Sequence, residues 1–189
     1  MSKELSEMTI EELWELFPVF LVEHRETWKD DYKKIEAELQ KLLSECSVSR
    51  ISHIGSTAVS GIRAKNIVDV LVEIPMNENM RAVSKTIADG GFIIMSAGTN
   101  RASFNKGYTK DGFADKVYHV HLRYVGDNDE LYFRDYLNEY PRIAKEYETL
   151  KLSLWKKFEH NRDAYTDGKT EFVRRYTNEA RKKYGNRYC

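Results

Sequence analysis

The sequence predicts an α+β domain: a mixed β-sheet with helices packed on it and a helical block at its C-terminal end. Three observations lead there. An early segment repeats apolar residues at helical spacing, two central segments carry the β-branched content or two-residue alternation of strands, and everything beyond Asp127 reads as helix. The strands are separated first by a helix and then by loops, which suits helices on a mixed sheet.

Each element has its own reason. Residues 9–17 (TIEELWELF) form a short helix with Thr9 as N-cap, Glu12 completing a capping box and Pro18 as its stop. Residues 19–22 are expected as a short strand. Trp28, Tyr32, Ile35, Leu39 and Leu42 repeat at intervals of four and three, the stripe of an amphipathic helix running to about Glu45. Residues 48–54 read as a strand, followed by the small-residue turn Gly55-Ser56-Thr57-Ala58. Residues 67–74 (IVDVLVEI) are the most apolar run and predict a central strand closed by Pro75. Asn77 caps a helix through Ala88, Gly90-Gly91 end it, and residues 92–96 form another strand.

Residues 97–116, rich in Gly, Asn, Ser, Lys and Asp, are expected as a loop or weak hairpin. Residues 117–125 (VYHVHLRYV) alternate, with Val117, His119, His121 and Arg123 on one face and Tyr118, Val120, Leu122 and Tyr124 on the other. Three helices follow, over 127–138, 141–158 with Pro141 in the first turn, and 163–184.

With 189 residues, 41% of them hydrophobic, and 30 basic against 30 acidic side chains, the chain is expected as one globular domain over 1–189, with 1–18 as an N-terminal helical extension. Disorder is excluded for most of it. No apolar run approaches the roughly 20 residues of a membrane span, and no apolar core precedes a cleavage site at the start, so a soluble cytoplasmic protein is expected. Cys46 and Cys189 are too few for a disulfide framework or zinc knuckle, and Cys46 is expected as an inert buried thiol.

Charge is uneven along the chain: residues 1–50 carry a net of −5 and residues 142–189 a net of +6. The basic end reads as a solvated face, or one meeting an acidic face of the same fold. A nucleic-acid partner is not expected, because the overall balance is zero. Neither a phosphate-loop motif nor a dinucleotide-binding glycine fingerprint is present.

Three groups of residues are candidates for chemistry. The turn Gly55-Ser56-Thr57 lets backbone approach a ligand and supplies N–H and hydroxyl donors suited to phosphate, although an ordinary turn uses the same residues. Asp69 lies in the middle of an apolar strand, where a carboxylate needs a partner, a metal or an opening to solvent. Glu73 shares its face but lies roughly 13 Å away along the strand. The i+2 position, where a second metal-binding carboxylate belongs, is Leu71.

His119 and His121 form the second group, about 6.6 Å apart on a polar strand face. They suit a metal with Asp69 as third ligand, an anion or substrate, or plain structural hydrogen bonding. The third group is cationic: Arg63 and Lys65 before the Asp69 strand, and Lys106 and Lys110 flanking Tyr108.

The succession HIGSTAVSGIRAKNIVDVLVEI, HVHL, FRDYL and AYTDGKTEFV resembles the GrpB family, also catalogued as UPF0157, over residues 20–173. The fold of that family is similar to that of nucleotidyltransferases. The resemblance implies a nucleotidyltransferase-like core, with Gly55-Ser56 at the phosphate-contacting turn and Asp69 at the first metal-carboxylate position. Leu71 departs from the second carboxylate of active nucleotidyltransferases, and HVH falls about where a third acidic position belongs.

The expected function is therefore a nucleotidyltransferase-like protein. Gly55, Ser56 and Thr57 would hold phosphates, Asp69 with His119 or His121 would bind a divalent metal such as Mg²⁺ or Mn²⁺, and Lys65 and Lys106 would offset charge. The alternative is a non-catalytic member of the fold that binds a nucleotide or small anionic metabolite. A third reading makes the helical tail a partner or self-association surface, although its aromatic residues suit core packing better.

Overall fold

The computed structural model describes residues 3–188. Its strands are β1 (Arg50–Ile54), β2 (Val68–Ile74), β3 (Ile93–Ala97), β4 (Arg101–Thr109) and β5 (Gly112–Tyr124). They form one sheet in the order β1-β2-β5-β4-β3, parallel between β2 and β5 and antiparallel elsewhere. The helices are α1 (Ile10–Leu16), α2 (Thr27–Leu42), α3 (Met80–Asp89), α4 (Asp129–Glu139), α5 (Pro141–Phe158), α6 (Arg162–Asp167) and α7 (Thr170–Tyr184). This is the expected α+β class with a mixed sheet and a helical C-terminal block.

One face of the sheet is the main core. Val68, Val70, Val72 and Ile74 of β2 alternate onto it with Phe104, Val120 and Leu122, and α2 and α3 cover it through Trp28, Ile35, Leu39, Val83 and Ile87. Burying each of these side chains contributes about 1.5–3 kcal/mol, which fixes the register of β2 and β5. The same alternation sends Asp69, Leu71 and Glu73 of β2, with His119, His121 and Arg123 of β5, to the opposite face. There α4 packs on Leu71 and Ile54 through Leu131.

Glu73 is fully buried and is a structural carboxylate, bonded to Arg50 Nε at 2.5 Å and Asn128 Nδ2 at 2.9 Å. The tail aromatics pack largely among themselves: Phe133, Tyr147 and Phe172 form a second core with Val59, Ile62 and Leu137. Part of the basic tail meets acids of α4 as expected, with Arg181 at 2.7 Å from Asp129 and Arg187 at 2.9 Å from Asp135.

The sequence expectations need four corrections. Residues 97–116 take the hairpin alternative and not the loop, and the hairpin is not weak: β4 and β5 pair over most of the length of β4, and the polar residues that suggest a loop line a well-bonded ribbon. Gly107 (φ 92°) sits at a register shift where an added Cβ would strike the Lys116 carbonyl. Residues 19–22 contribute one bridge, Val22 to Ala64, and no strand. Asn79, not Asn77, caps α3, accepting from Arg81 N and Ala82 N at 3.0 and 3.1 Å. The helix expected over 163–184 is two helices, α6 capped by Asn161 and α7 beginning after Gly168-Lys169.

The N-terminal helix is capped as the sequence predicts, with the Thr9 and Glu12 bonds both in place. It is tied down by Phe17, whose ring lies 4.7 Å from Tyr108 and 5.0 Å from Phe113. Cys46 is partly buried against the main core, and Cys189 lies outside the described residues. No helix among the described residues is long and apolar enough to cross a membrane.

Candidate functional site

The parallel register of β2 and β5 places Asp69 beside His119 and Leu71 beside His121. All three polar side chains project from the sheet face opposite the main core, so they meet without any backbone distortion. His119 Nδ1 lies 3.1 Å and His121 Nε2 3.5 Å from Asp69 Oδ1. One ligand atom from each falls within 4.8 Å of the other two. Asp69 is 26% exposed, so it is neither sealed in the core nor freely solvated.

Burial alone would push the Asp69 carboxyl up. Hydrogen bonds from His119 and then His121 outweigh it and hold the group well below the usual carboxylate range. Burial also pushes the His119 imidazole down, against the pull of Asp69. A metal would replace these hydrogen bonds, taking the ionised carboxylate together with the ring nitrogens of neutral imidazoles once their protons have left. His119 is oriented from its other side: Nε2 lies 2.9 Å from the Tyr108 hydroxyl, which accepts from Arg162 at 2.8 Å.

The turn stands over Asp69. Gly55 adopts φ 72°, ψ −172°, a conformation open essentially to glycine, and a Cβ there would overlap Asp69 Oδ2. Ser56 lines the cleft beside the Tyr147 hydroxyl. Thr57 is buried, and its hydroxyl is engaged 2.9 Å from His53 Nε2.

These groups open into a cavity of about 980 Å³ bounded by the sheet, the turn, the C-terminal helices and Leu13 and Trp14 of α1. Lys65 lines it, with its ammonium 5.8 Å from the centre of the Tyr165 ring. Lys106 does not reach it. That residue pairs with Tyr118 across β4 and β5, on the covered face, and bonds Glu38 of α2. Arg63 bonds Glu23 and its carbonyl accepts from Lys151.

Sequence reading missed further cations of the cavity, among them Lys151, Arg162 and Lys169. Lys151 is 2% exposed and sits 5.0 Å over the Tyr147 ring, and Lys169 lies 4.4 Å over the Tyr165 ring. Burial, and then the positive charge of Lys169 and Arg162, lowers Lys65 to about 7. Burial and the charge of Lys169 lower Lys151 to about 7, and burial lowers Lys169 to about 8. None of these three lysines has a carboxylate in salt-bridge contact among the described residues. One signal was readable: Lys151 falls on the buried stripe of α5, four residues after Tyr147, where a solvated lysine has no place.

Two hard cations held by paired carboxylates do not fit these residues. Leu71 is fully buried where a second carboxylate is needed, and Glu73 is held by Arg50 and Asn128. A single ion fits the cluster of one carboxylate and two imidazoles.

Comparison with known proteins places the chain in a defined company. Residues 18–179 match the family model described as GrpB protein. The "Glutamate-rich protein GrpB" of Alkalihalophilus pseudofirmus is 35% identical over 173 residues, covering 85% of this chain and 95% of that one. The UPF0157 protein YqkA of Bacillus subtilis is 30% identical over 86% of this chain, but the match spans only 48% of YqkA. Among solved structures, the conserved protein GrpB from Enterococcus faecalis superposes with a TM-score of 0.74 at 28% identity, over 87% of this chain and 99% of that one. The poly(U) polymerase Cid1 with MgGTP bound shares the fold at a TM-score of 0.52 and 9% identity, over 78% of this chain and 46% of Cid1. The core is thus a nucleotidyltransferase-like fold.

Proposed function

The chain belongs to the GrpB family, and from that premise we propose that its cleft binds a nucleotide beside a divalent ion and acts as a nucleotidyltransferase-like enzyme. One observation carries the reading: Lys65, Lys151, Lys169 and Arg162 gather in a single cavity with Asp69, and its three lysines lack carboxylate partners among the described residues. Buried cations without counterions are costly, and a phosphate chain supplies the missing charge. The MgGTP held by Cid1, a protein of similar fold, is consistent with that ligand class.

Asp69, His119 and His121 would hold the ion, which when bound supplies positive charge to phosphate oxygens. The Gly55 backbone and the Ser56 hydroxyl would approach the phosphates from the turn. Thr57 supports the turn through His53, and Lys65 offsets charge as a leaving group departs. Alignment and charge stabilisation, rather than covalent chemistry on the protein, would do the catalysis.

A second reading has its own support. Leu71, buried beneath Leu131, stands where active nucleotidyltransferases carry a second carboxylate, and this favours a member that binds a nucleotide or small anionic metabolite and transfers nothing.

The two readings part in one experiment, a panel of nucleoside triphosphates with divalent ions followed by melting temperature and by product formation. Turnover lost in Asp69→Ala supports the enzyme. A melting shift with no turnover across the panel supports the binding protein, and neither shift nor turnover ends both readings.

A further inference from the structure

We infer that the Asp69–His119–His121 cluster takes a borderline transition-metal dication, of the kind Zn²⁺ and Co²⁺ exemplify, in preference to Mg²⁺. The assignment rests on the metal-binding reading proposed above and is independent of the nucleotide.

Ligand type is the first argument. Mg²⁺ seeks an all-oxygen octahedral shell, whereas imidazole suits Zn²⁺, Cu²⁺, Fe²⁺ and Ni²⁺. The cluster offers two imidazole nitrogens and one carboxylate. Among the described residues no further carboxylate gathers with these three: Glu130 and Asp163 line the same cavity from helices but do not join the group. Leu71 fills the neighbouring position, Glu73 is bound by Arg50, and Asp127 at the cavity edge is bridged by Arg101 at 2.6 Å through both oxygens.

Geometry is the second. Ligands at about 2.0–2.2 Å from one ion stand about 2.8–3.1 Å from one another in an octahedron and about 3.3–3.6 Å in a tetrahedron. The two nitrogens lie 3.1 and 3.5 Å from Asp69 Oδ1, so the edges of such a shell already exist around this oxygen. The two nitrogens lie within 4.8 Å of each other, and this third edge is the one that side-chain adjustment would set.

The third is the outer shell. A ligating histidine normally gives its other ring nitrogen to a fixed partner. Tyr108, itself held by Arg162, takes Nε2 of His119 and leaves Nδ1 facing Asp69. Three protein ligands leave at least one position open toward the cavity, the arrangement of a catalytic rather than a purely structural site.

The test uses the full chain, stripped with chelator and titrated separately with Zn²⁺, Co²⁺ and Mg²⁺, read by melting temperature and, for Co²⁺, by visible absorption. Zn²⁺ and Co²⁺ are expected to bind about 100-fold more tightly than Mg²⁺ or better. The Co²⁺ bands should carry the intensity of a low-coordinate nitrogen–oxygen site. His119→Gln and His121→Gln, each verified as folded by circular dichroism, should both weaken Zn²⁺ at least about 10-fold while leaving the fold intact.

Mg²⁺ binding that matches Zn²⁺, needs Asp69 and ignores both histidine variants would overturn the inference while leaving the metal-binding reading intact. Binding of no divalent ion to the wild-type chain would end both. Zn²⁺ bound equally well by the double histidine variant would place the metal elsewhere and also overturn it.

Discussion

Gly55 lacks a side chain where Asp69 would leave no room for one: a Cβ on Gly55 would overlap Asp69 Oδ2, so the turn and the central strand are fitted to each other at a single atom. The relationship ties the mobility of the carboxylate to the conformation of the turn. Gly55→Ala must either shift the turn out of its φ 72° conformation, which costs a non-glycine residue about 1–3 kcal/mol, or rotate Asp69 away from the two imidazoles. The expected result is a melting temperature lower by several degrees and weakened binding of both metal and nucleotide. A Gly55→Ala protein with wild-type metal affinity would show that Asp69 has freedom the packing denies it.

Tyr108 tests orientation without touching the proposed ligands. Phe at this position keeps the ring that packs on Phe17 and Phe113 and removes only the hydroxyl between His119 and Arg162. Loss of such an outer-shell partner typically lowers metal affinity about 10–100-fold. Tyr108→Phe should therefore weaken metal binding within that range while shifting the melting temperature of the metal-free protein by little. An unchanged affinity would show that His119 is aimed by its strand alone.

Much of this was legible because strands obey a simple rule. The period of two in 117–125 and the β-branched run around Asp69 place the acid and both imidazoles on sheet faces correctly, and parallel pairing then brings them together. The hairpin 97–116 was less legible, because polar residues that face solvent or, like Asn105 beside His119, the cavity have the composition of a loop, and only Ala102 and Phe104 on the covered face betray it. Lys106 was misplaced for the same reason: without knowing that 101–109 is a strand, its face cannot be assigned. Lys151, Arg162 and Lys169 reach the cavity from three separate segments, and no local pattern expresses that convergence. The net charge of +6 over 142–189 recorded their presence without saying where they point.

Anion binding should take up protons near neutral pH. Lys65 and Lys151 sit at about 7 and Lys169 at about 8: burial favours the neutral form of all three, and neighbouring cations add to it for Lys65 and Lys151. A phosphate chain among them favours the charged forms, so at pH 8 binding must draw protons from solution, and affinity should fall as pH rises from about 7 to 9. Titration calorimetry with tripolyphosphate in two buffers of different ionisation heat reads the uptake directly. The last acid group of tripolyphosphate itself ionises near that pH, so the protons that belong to the protein are read as the difference in uptake between wild type and Lys65→Met. Binding with no proton uptake would separate the lysines from the ligand.

Lys65 also predicts how stability depends on pH in the absence of ligand. Its ordinary value is 10.5 and its folded value about 7, so between these limits the unfolded chain binds more protons than the folded one. Stability from this group therefore rises as pH climbs from about 7 to about 10.5, and below pH 7 its full destabilisation is present. Lys65→Met removes the charge while keeping an apolar stem beside Tyr165. The variant should be more stable than wild type at pH 6, on the order of 1–3 kcal/mol, with the advantage shrinking toward pH 10. The gain should come with a loss of nucleotide affinity at pH 6, since the charge that strains the empty cleft is the one proposed to grip phosphate. Thermal melts of both proteins across that range decide it: a variant less stable at pH 6, or a difference flat with pH, would mean that Lys65 keeps its ordinary charge in the folded protein.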